Sequence, residues 1–183
     1  INPEPIKKIS KFIDAANIDL KAFSNRFYRE ICGGVGLEPI LKAIKEFHKR
    51  KVWIELTTLL IPGENDSEEE IRKIVEWVSK LDKGIPLHFS RFHPSYKMLN
   101  KPITPVETIE KAIEIAKEKL EYVYAGNVWG HKYESTFCPK CGHKVIERFG
   151  FSLGRIDLEE KNGKYFCPNC GKLIKIRGKV IKG

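Results

Sequence analysis

Two matched cysteine pairs constrain the C-terminal part of this chain more than any other feature of the sequence. Cys138 and Cys141 form the first pair, Cys167 and Cys170 form the second, and a glycine follows each pair. Two thiolates three positions apart can bind one metal ion from a tight turn, and two such turns complete a tetrahedron. The spacing therefore predicts a structural zinc site, or an iron site of the rubredoxin kind. Disulfides are the alternative, although they are rare in cytosolic proteins.

Basic charge is concentrated in the same part of the chain. Residues 136–183 contain 11 Lys and Arg against 4 Asp and Glu, whereas residues 1–135 contain 22 against 20. Such a surface either keeps a protein in solution or binds nucleic acid. No apolar run reaches the length of a membrane span and no signal peptide is visible, so we expect a cytoplasmic protein. The chain begins with Ile1, which suggests a fragment or a processed piece.

Strand and helix patterns alternate through the first two thirds of the sequence. The predicted strands recur every 33 to 38 residues, which is the length of a βα unit. They are Asn17–Leu20, Val52–Ile61, Ile85–Phe92 and Glu121–Ala125. Repeated βα units predict an α/β fold with a parallel sheet, either doubly wound or part of a barrel. The nearly unbroken apolar run of the second strand also predicts that it is covered on both faces.

The patterns divide the chain into three predicted parts. These are an α/β domain over residues 1–127, a linker over 128–137 and a small, rubredoxin-like zinc-ribbon domain over 138–183. A piece of about 45 residues has too little core to fold alone, so the metal would be its main source of stability. Its short strands are predicted at Val145–Ile146 and Leu173–Ile176. Four thiolate ligands leave no open position for a substrate, so the site is predicted to be structural.

Polar side chains follow the ends of two predicted strands, where a parallel α/β sheet places its active site. Asp19 and Lys21 end the first strand and share a face, because side chains alternate along a strand. They are either a structural ion pair or residues that bind a ligand. Arg91 and His93 end the third strand in the same way. A single histidine is more often structural than functional, but two polar pairs at one edge favour a site.

Two further segments are weaker candidates. The loop from Ile61 to Ser67 contains Gly63 and leads into a helix, so its backbone could approach a ligand. An ordinary turn with a good helix N-cap explains this loop equally well. Cys32 is the one cysteine outside the pairs, and a free cysteine is more often a small buried residue than a nucleophile. Cys32 and Arg91 are therefore weak catalytic candidates.

Seven segments, taken together, resemble the radical SAM enzymes of the AmmeMemoRadiSam system, which are relatives of the pyruvate formate-lyase activating enzyme. The segments are NIDLKAF, FYREICGG, IELTTLLIPGENDSEEEI, PLHFSRFHPSYKM, TPVETIEKA, YVYAGN and the paired CPKCG and CPNCG. They occur in this order across nearly the whole chain.

This resemblance implies a partial (βα)6 TIM barrel in which a [4Fe–4S] cluster binds S-adenosylmethionine. Reductive cleavage of that molecule yields a 5′-deoxyadenosyl radical, which abstracts hydrogen from a substrate, as in glycyl-radical activating enzymes. The residues implied at the S-adenosylmethionine site are Asp19, Lys21 and His93, with the loop from Ile61 to Gly63 along the adenine. The name of the system also implies association with Memo-like and AMMECR-like proteins.

The chain departs from that family in its cysteines. The cluster loop, a CxxxCxxC motif after the first barrel strand, is absent. We therefore expect that two or three βα units precede Ile1 and that this piece is inactive alone. Such a piece would expose the edge of a parallel sheet, so we expect the missing half or a second copy of the chain to cover it.

A basic metal-binding module for nucleic acid or for a protein partner is the alternative function. It predicts an affinity for nucleic acid that falls steeply with salt. Against it, the aromatic residues of the C-terminal part fall at predicted core positions and its basic residues form no tight cluster. These aromatic residues are Phe149, Phe151, Tyr165 and Phe166. The sequence leaves open whether this part is a lid over the barrel.

Overall fold

The computed structural model describes residues 2–180, in which four helices alternate with the four strands of a first sheet. The helices are α1 (Pro3–Ile9), α2 (Glu38–Lys49), α3 (Glu68–Leu81) and α4 (Val106–Lys117). The strands are β1 (Ala15–Asp19), β2 (Trp53–Leu60), β3 (Leu87–Arg91) and β4 (Val123–Gly126). We call residues 2–126 the sheet region. All four predicted strands are present, with ends that differ by one or two residues from the predicted ones.

The first sheet is parallel throughout and follows the order β1-β2-β3-β4. Ile18, Leu56, Leu87 and Val123 lie side by side across it. The prediction of an α/β fold with a parallel sheet is therefore confirmed. A doubly wound sheet reverses its strand order partway, and these four strands show no reversal.

Helices cover only one face of this sheet, so the prediction that β2 is covered on both faces is wrong. Side chains along β2 alternate strictly between buried and half-buried. Leu56 and Leu60 point into the core under the helices and are fully buried, whereas Glu55 and Thr57 lie on the other face. Alternate positions share a face, so these two polar residues mark a face that no helix covers. We call it the inner face.

Residues 136–180, which we call the cysteine region, form six short strands in two antiparallel sheets of orders β5-β6-β7 and β10-β9-β8. The strands are β5 (Thr136–Phe137), β6 (Lys144–Phe149), β7 (Ser152–Ile156), β8 (Glu159–Lys161), β9 (Lys164–Phe166) and β10 (Leu173–Ile174). One cysteine pair lies in the turn between β5 and β6, and the other between β9 and β10. The predicted strand positions at Val145–Ile146 and Leu173 fall within β6 and β10.

The segment that joins the two regions is packed. Val128 belongs to the core of the sheet region, and Ser135 and Thr136 are buried. A short 3-10 turn, Lys132–Glu134, lies between them. The predicted division at residues 127 and 138 stays a prediction, and the segment between these positions is structured.

Candidate functional site

The four paired cysteines converge on one point. Their sulfur atoms all lie within 4.8 Å of one another, with 3.5 Å between those of Cys138 and Cys170 and 3.6 Å between those of Cys141 and Cys167. A disulfide would require about 2.05 Å between sulfurs. A tetrahedral zinc ion with Zn–S bonds of about 2.3 Å would separate its sulfurs by about 3.8 Å. The cluster therefore has the dimensions of a tetrahedral metal site.

The two cysteine turns have the same backbone geometry. The Cys138 carbonyl accepts a hydrogen bond of 2.9 Å from the Gly142 N–H, and the Cys167 carbonyl accepts one of 2.9 Å from the Gly171 N–H. Both glycines have a left-handed backbone, with φ of +72° and +68°. Glycine adopts this conformation without steric cost, which explains why it follows each pair.

The surroundings of the thiols differ. Burial raises the pKa of Cys138 to about 12, whereas backbone hydrogen bonding from His143 lowers the pKa of Cys141 to about 6. A metal ion binds thiolates, so each thiol must lose its proton on binding. The lower pKa of Cys141 makes its deprotonation less costly than that of Cys138.

The second candidate site lies at the carboxyl ends of β1 and β2. The Lys21 ammonium pairs with the Asp19 carboxylate at 2.8 Å, and both side chains are partly exposed. The backbone is fixed at this point, because the Lys21 N–H donates to the Tyr28 hydroxyl at 3.0 Å. Asp19 and Lys21 therefore lie together, as their spacing predicts, and the pair remains open to solvent.

Asn65 joins this strand end to the neighbouring loop. Its side-chain NH2 donates to the carbonyls of Lys21 (2.6 Å) and Leu59 (2.8 Å), and its oxygen accepts from the Ile61 N–H (2.7 Å). Asn65 is 1% exposed, so no water replaces these bonds. Sequence reasoning missed this role, although an asparagine after a strand is a residue that often bonds nearby backbone.

The loop after β2 has a buried beginning and an open middle. Ile61 is buried in a small apolar cluster with Phe27, Tyr28 and Phe92. Gly63 has a φ of +75°, and no atom lies within 4 Å of the position that a Cβ would take. The backbone of Gly63 is therefore accessible to a ligand.

A partly buried carboxylate connects three loops at the same edge of the sheet. The side chain of Glu64, which is 11% exposed, pairs with Arg26 at 3.2 Å and with Lys101 at 2.5 Å. Arg26 precedes the π-helical turn Phe27–Ile31 after β1, and Lys101 lies between β3 and α4. Glu64 thus fixes the loops that follow β1, β2 and β3 relative to one another.

The candidates at the end of β3 are less closely associated with this site. The half-buried Arg91 donates from Nε to the Thr104 carbonyl at 2.7 Å, which is a structural contact. His93 is exposed. Among residues 2–180, no hydrogen bond or ion pair joins His93 to Asp19, Lys21 or the loop after β2.

Cys32 is exposed and closes the π-helical turn through an N–H bond of 3.2 Å to the Phe27 carbonyl. Desolvation raises the pKa of the Cys32 thiol, and the nearby Lys21 ammonium acts in the opposite direction. The thiol is therefore not an activated nucleophile.

Three ion pairs join the cysteine region to the sheet region. They are Lys172–Glu121 (3.4 Å), Lys175–Asp82 (3.1 Å) and Arg177–Asp14 (3.0 Å). All three acidic residues lie just before strands of the first sheet, at its amino ends. The cysteine region therefore packs against the amino ends of these strands, and part of its basic charge lies in these three ion pairs.

Within the described residues, no helix is both long and apolar enough to cross a membrane.

A family model, a curated relative and two solved structures match parts of this chain. The family model described as the Radical SAM superfamily matches residues 1–78. An uncharacterized protein of Methanocaldococcus jannaschii is 42% identical over 178 residues, which are 96% of this chain and 52% of that protein. The chain thus spans about half the length of this curated relative.

Two solved structures resemble the fold. A domain of a pyruvate-formate lyase-activating enzyme from Bacteroides vulgatus has a TM-score of 0.61 at 20% identity, over 69% of this chain and 75% of that one. A radical SAM methyltransferase from Sphaerobacter thermophilus has a TM-score of 0.49 at 15% identity, over 76% of this chain and 41% of that one. The first likeness concerns the fold alone, and it agrees with the superfamily match.

Proposed function

We propose that this chain is part of a radical SAM enzyme whose S-adenosylmethionine site lies at the carboxyl ends of β1, β2 and β3. One observation carries the proposal. The superfamily match covers residues 1–78, and within that span Asn65 joins the Asp19–Lys21 pair to the loop that contains Gly63. Parallel α/β folds build their sites at this edge of the sheet.

The residues at this edge suit the groups of S-adenosylmethionine. The Lys21 ammonium would bind its carboxylate, and the Asp19 carboxylate would accept from its amino group or from a ribose hydroxyl. The accessible backbone at Gly63, with Ile61 beside it, would lie along the adenine, and His93 would contact the nucleoside. Asp19 and Lys21 are partly exposed while paired, so the charged groups of a ligand can replace their contact with each other.

The iron–sulfur cluster does not fit the residues of this chain. Four of its five cysteines form the tetrahedral site, and Cys32 stands alone. We infer that another segment of the protein, upstream of Ile1, supplies the cluster and the remaining βα units of a partial barrel. The activity proposed is reductive cleavage of S-adenosylmethionine to a 5′-deoxyadenosyl radical, and this piece alone lacks it.

The proposed upstream segment would also cover the open side of the sheet. Within residues 2–180, β1 pairs only with β2, so its other edge is unpaired. A second copy of the chain could cover the same edge. Memo-like and AMMECR-like proteins are proposed as partners only because of the family resemblance.

The four-cysteine site is proposed to hold zinc, with iron as the alternative. Its ligands are all protein thiolates, so the ion would stabilise the cysteine region and take no part in the reaction.

The test is to express the chain with its upstream segment, reconstitute it with iron and sulfide, and measure 5′-deoxyadenosine after reduction. Lys21→Ala should lower 5′-deoxyadenosine formation at limiting S-adenosylmethionine by at least about tenfold, because one charge-assisted bond is lost. Lys42→Ala is the matched control, since Lys42 pairs with Glu38 on the surface of α2. No 5′-deoxyadenosine from the reconstituted wild type would refute the proposal.

One observation favours the alternative of a nucleic-acid module. Phe149 and Phe151 are 57% and 99% exposed, so the prediction that they lie in the core is wrong, whereas Tyr165 is buried as predicted. Exposed aromatic rings beside basic residues can stack on bases. Binding to single-stranded RNA that weakens steeply with salt would support this function.

A further inference from the structure

The inner face of the first sheet is polar, in contrast to the face under the helices. The helix-covered side chains Leu56, Leu87 and Phe89 are fully buried. Neighbouring positions on the inner face are occupied by Glu55 and His88. Polar side chains on a sheet face that no helix covers can line a binding site, in which a few polar groups orient a ligand.

A cavity of about 370 Å³ lies between this inner face and the turn that joins β6 to β7. Its side chains include Glu55, His88 and Tyr124 from the sheet, Arg148 from β6, and Trp129 and Phe151 at its mouth. Trp129 and Phe151 are 77% and 99% exposed, and their rings meet edge to face at 6.2 Å. This volume is typical of small-molecule sites.

Arg148 brings a positive charge into this cavity, which the carboxylates of Glu55 and Glu134 also line. Its guanidinium lies 5.8 Å above the Tyr124 ring, and one NH2 group donates to the Thr136 hydroxyl. Among residues 2–180, no carboxylate lies within ion-pair distance of Arg148. The remaining donors of the guanidinium fork suit a carboxylate or a phosphate group.

His88 is fixed beside the same space. Its Nε2 lies 2.8 Å from the Glu55 carboxylate, and its ring stacks on Tyr124 at 4.8 Å. The His88 bond holds the pKa of Glu55 below its usual range, so Glu55 is an ionised acceptor and the proton resides on Nε2. No partner of Nδ1 is found in the described residues, and with the proton on Nε2 this nitrogen is an acceptor that suits a hydroxyl or N–H donor of a ligand.

The second carboxylate of the cavity is already engaged. Glu134 accepts from the backbone N–H groups of Gly130 (3.0 Å) and Gly150 (3.3 Å). Glu55 is bonded to His88, and Glu134 is bonded to the backbone. Arg148 is the charged group of this cavity that keeps N–H donors for a ligand.

We propose that this cavity binds a small organic molecule with an anionic group, in which Arg148 holds the anion, His88 Nδ1 accepts from a hydroxyl or N–H group of the same molecule, and Trp129 and Phe151 lie against the apolar part. The cysteine region thus supplies a binding residue to the inner face, in addition to its structural role. That this molecule is the substrate of the radical reaction rests on the proposed function; the binding of an anion does not.

The experiment is a titration of the metal-loaded chain with inorganic phosphate and, separately, with benzoate. The readouts are the His88 imidazole resonances, assigned with His88→Gln, and the fluorescence of Trp129. Saturable changes with either probe are expected: phosphate alone would indicate a phosphorylated ligand, and benzoate alone would indicate an organic acid. No saturable change with either probe would overturn the proposal.

Two arginines of the same hairpin give a matched comparison. Arg148→Met should lower the association constant of the probe at least about tenfold, through loss of a charge-assisted hydrogen bond. Arg155→Met should leave it unchanged, because Arg155 is exposed and pairs with Asp157. Equal effects of the two substitutions would overturn the assignment of Arg148. If Arg148→Met loses its metal, Arg148→Lys, which keeps the charge but not the fork, should bind with intermediate affinity.

These titrations need neither a cluster nor S-adenosylmethionine, so the two proposals fail separately. Anion binding without 5′-deoxyadenosine in the reconstituted protein would keep the site and remove its role as a substrate site.

Discussion

The sheet region and the cysteine region are stabilised in different ways. The sheet region has a continuous core in which side chains from β2, β3, α3 and α4 are fully buried. The buried cluster of the cysteine region is far smaller, and two of its members, Cys138 and Cys167, are proposed metal ligands. A core of this size cannot offset the conformational entropy of about 45 ordered residues. The difference indicates that apolar burial stabilises one region and a metal ion the other.

Removal of the metal should have the largest effect of any single change. Structural zinc contributes about 10–16 kcal/mol in small zinc peptides, so Cys167→Ser or a strong chelator should unfold the cysteine region and leave the sheet region folded. Hydrogen exchange followed by mass spectrometry should show lost protection in residues 136–180 and retained protection in residues 53–91. Cys32→Ser should retain one metal ion per chain. Full protection of residues 136–180 without metal would remove the contrast between the two regions.

Loss of the Asn65 side chain should have the next largest effect, and it should fall on the sheet region. Asn65→Ala leaves two carbonyls and one N–H without partners in a buried site, which should lower the free energy of unfolding by about 3 kcal/mol. Urea denaturation measures this change. The control is Asn100→Ala at an exposed position, where a change within about 0.5 kcal/mol is expected. Equal effects of the two substitutions would contradict the role given to Asn65.

The contact between the two regions should give the smallest effect. Lys175→Ala removes a half-exposed ion pair with Asp82 and should cost at most about 1 kcal/mol, with a cost that shrinks as salt is added. The Lys175 backbone bond to the Tyr122 hydroxyl is retained. Lys161→Ala breaks a pair within the cysteine region and serves as the control. The hydrogen exchange of Asp82 and its neighbours should change in the first variant only.

Local patterns predicted all four strands of the sheet region but only two of the six short strands of the cysteine region, β6 and β10. The period of the βα units predicted the four strands. The glycine after each cysteine pair predicted a tight turn, and both glycines have a left-handed backbone in the structure. Asp19 and Lys21 were correctly expected to lie together, because two positions along a strand share a face. These features depend on residues close together in the sequence.

Features that depend on distant residues were missed or wrongly predicted. From the sequence, Asn65 belongs to the loop that leads into α3. In the structure its side chain bonds the Lys21 carbonyl, 44 residues earlier in the chain. Phe149 and Phe151 read as core residues, but the turn between β6 and β7 carries them into solvent. The pairing of Glu55 with His88 depends on the register of β2 and β3 and has no local signature.

The sequence by itself determined the order of strands and helices of the sheet region, the two matched cysteine turns and the pair at the end of β1, because spacing and side-chain alternation act over a few residues. Only the tertiary structure decided that the cysteine region packs at the amino ends of the strands, and that Arg148 from it joins Glu55, His88 and Tyr124 at one cavity. The reason is that these contacts join residues far apart in the chain, and their free energy depends on the complementary shape and charge of two complete surfaces.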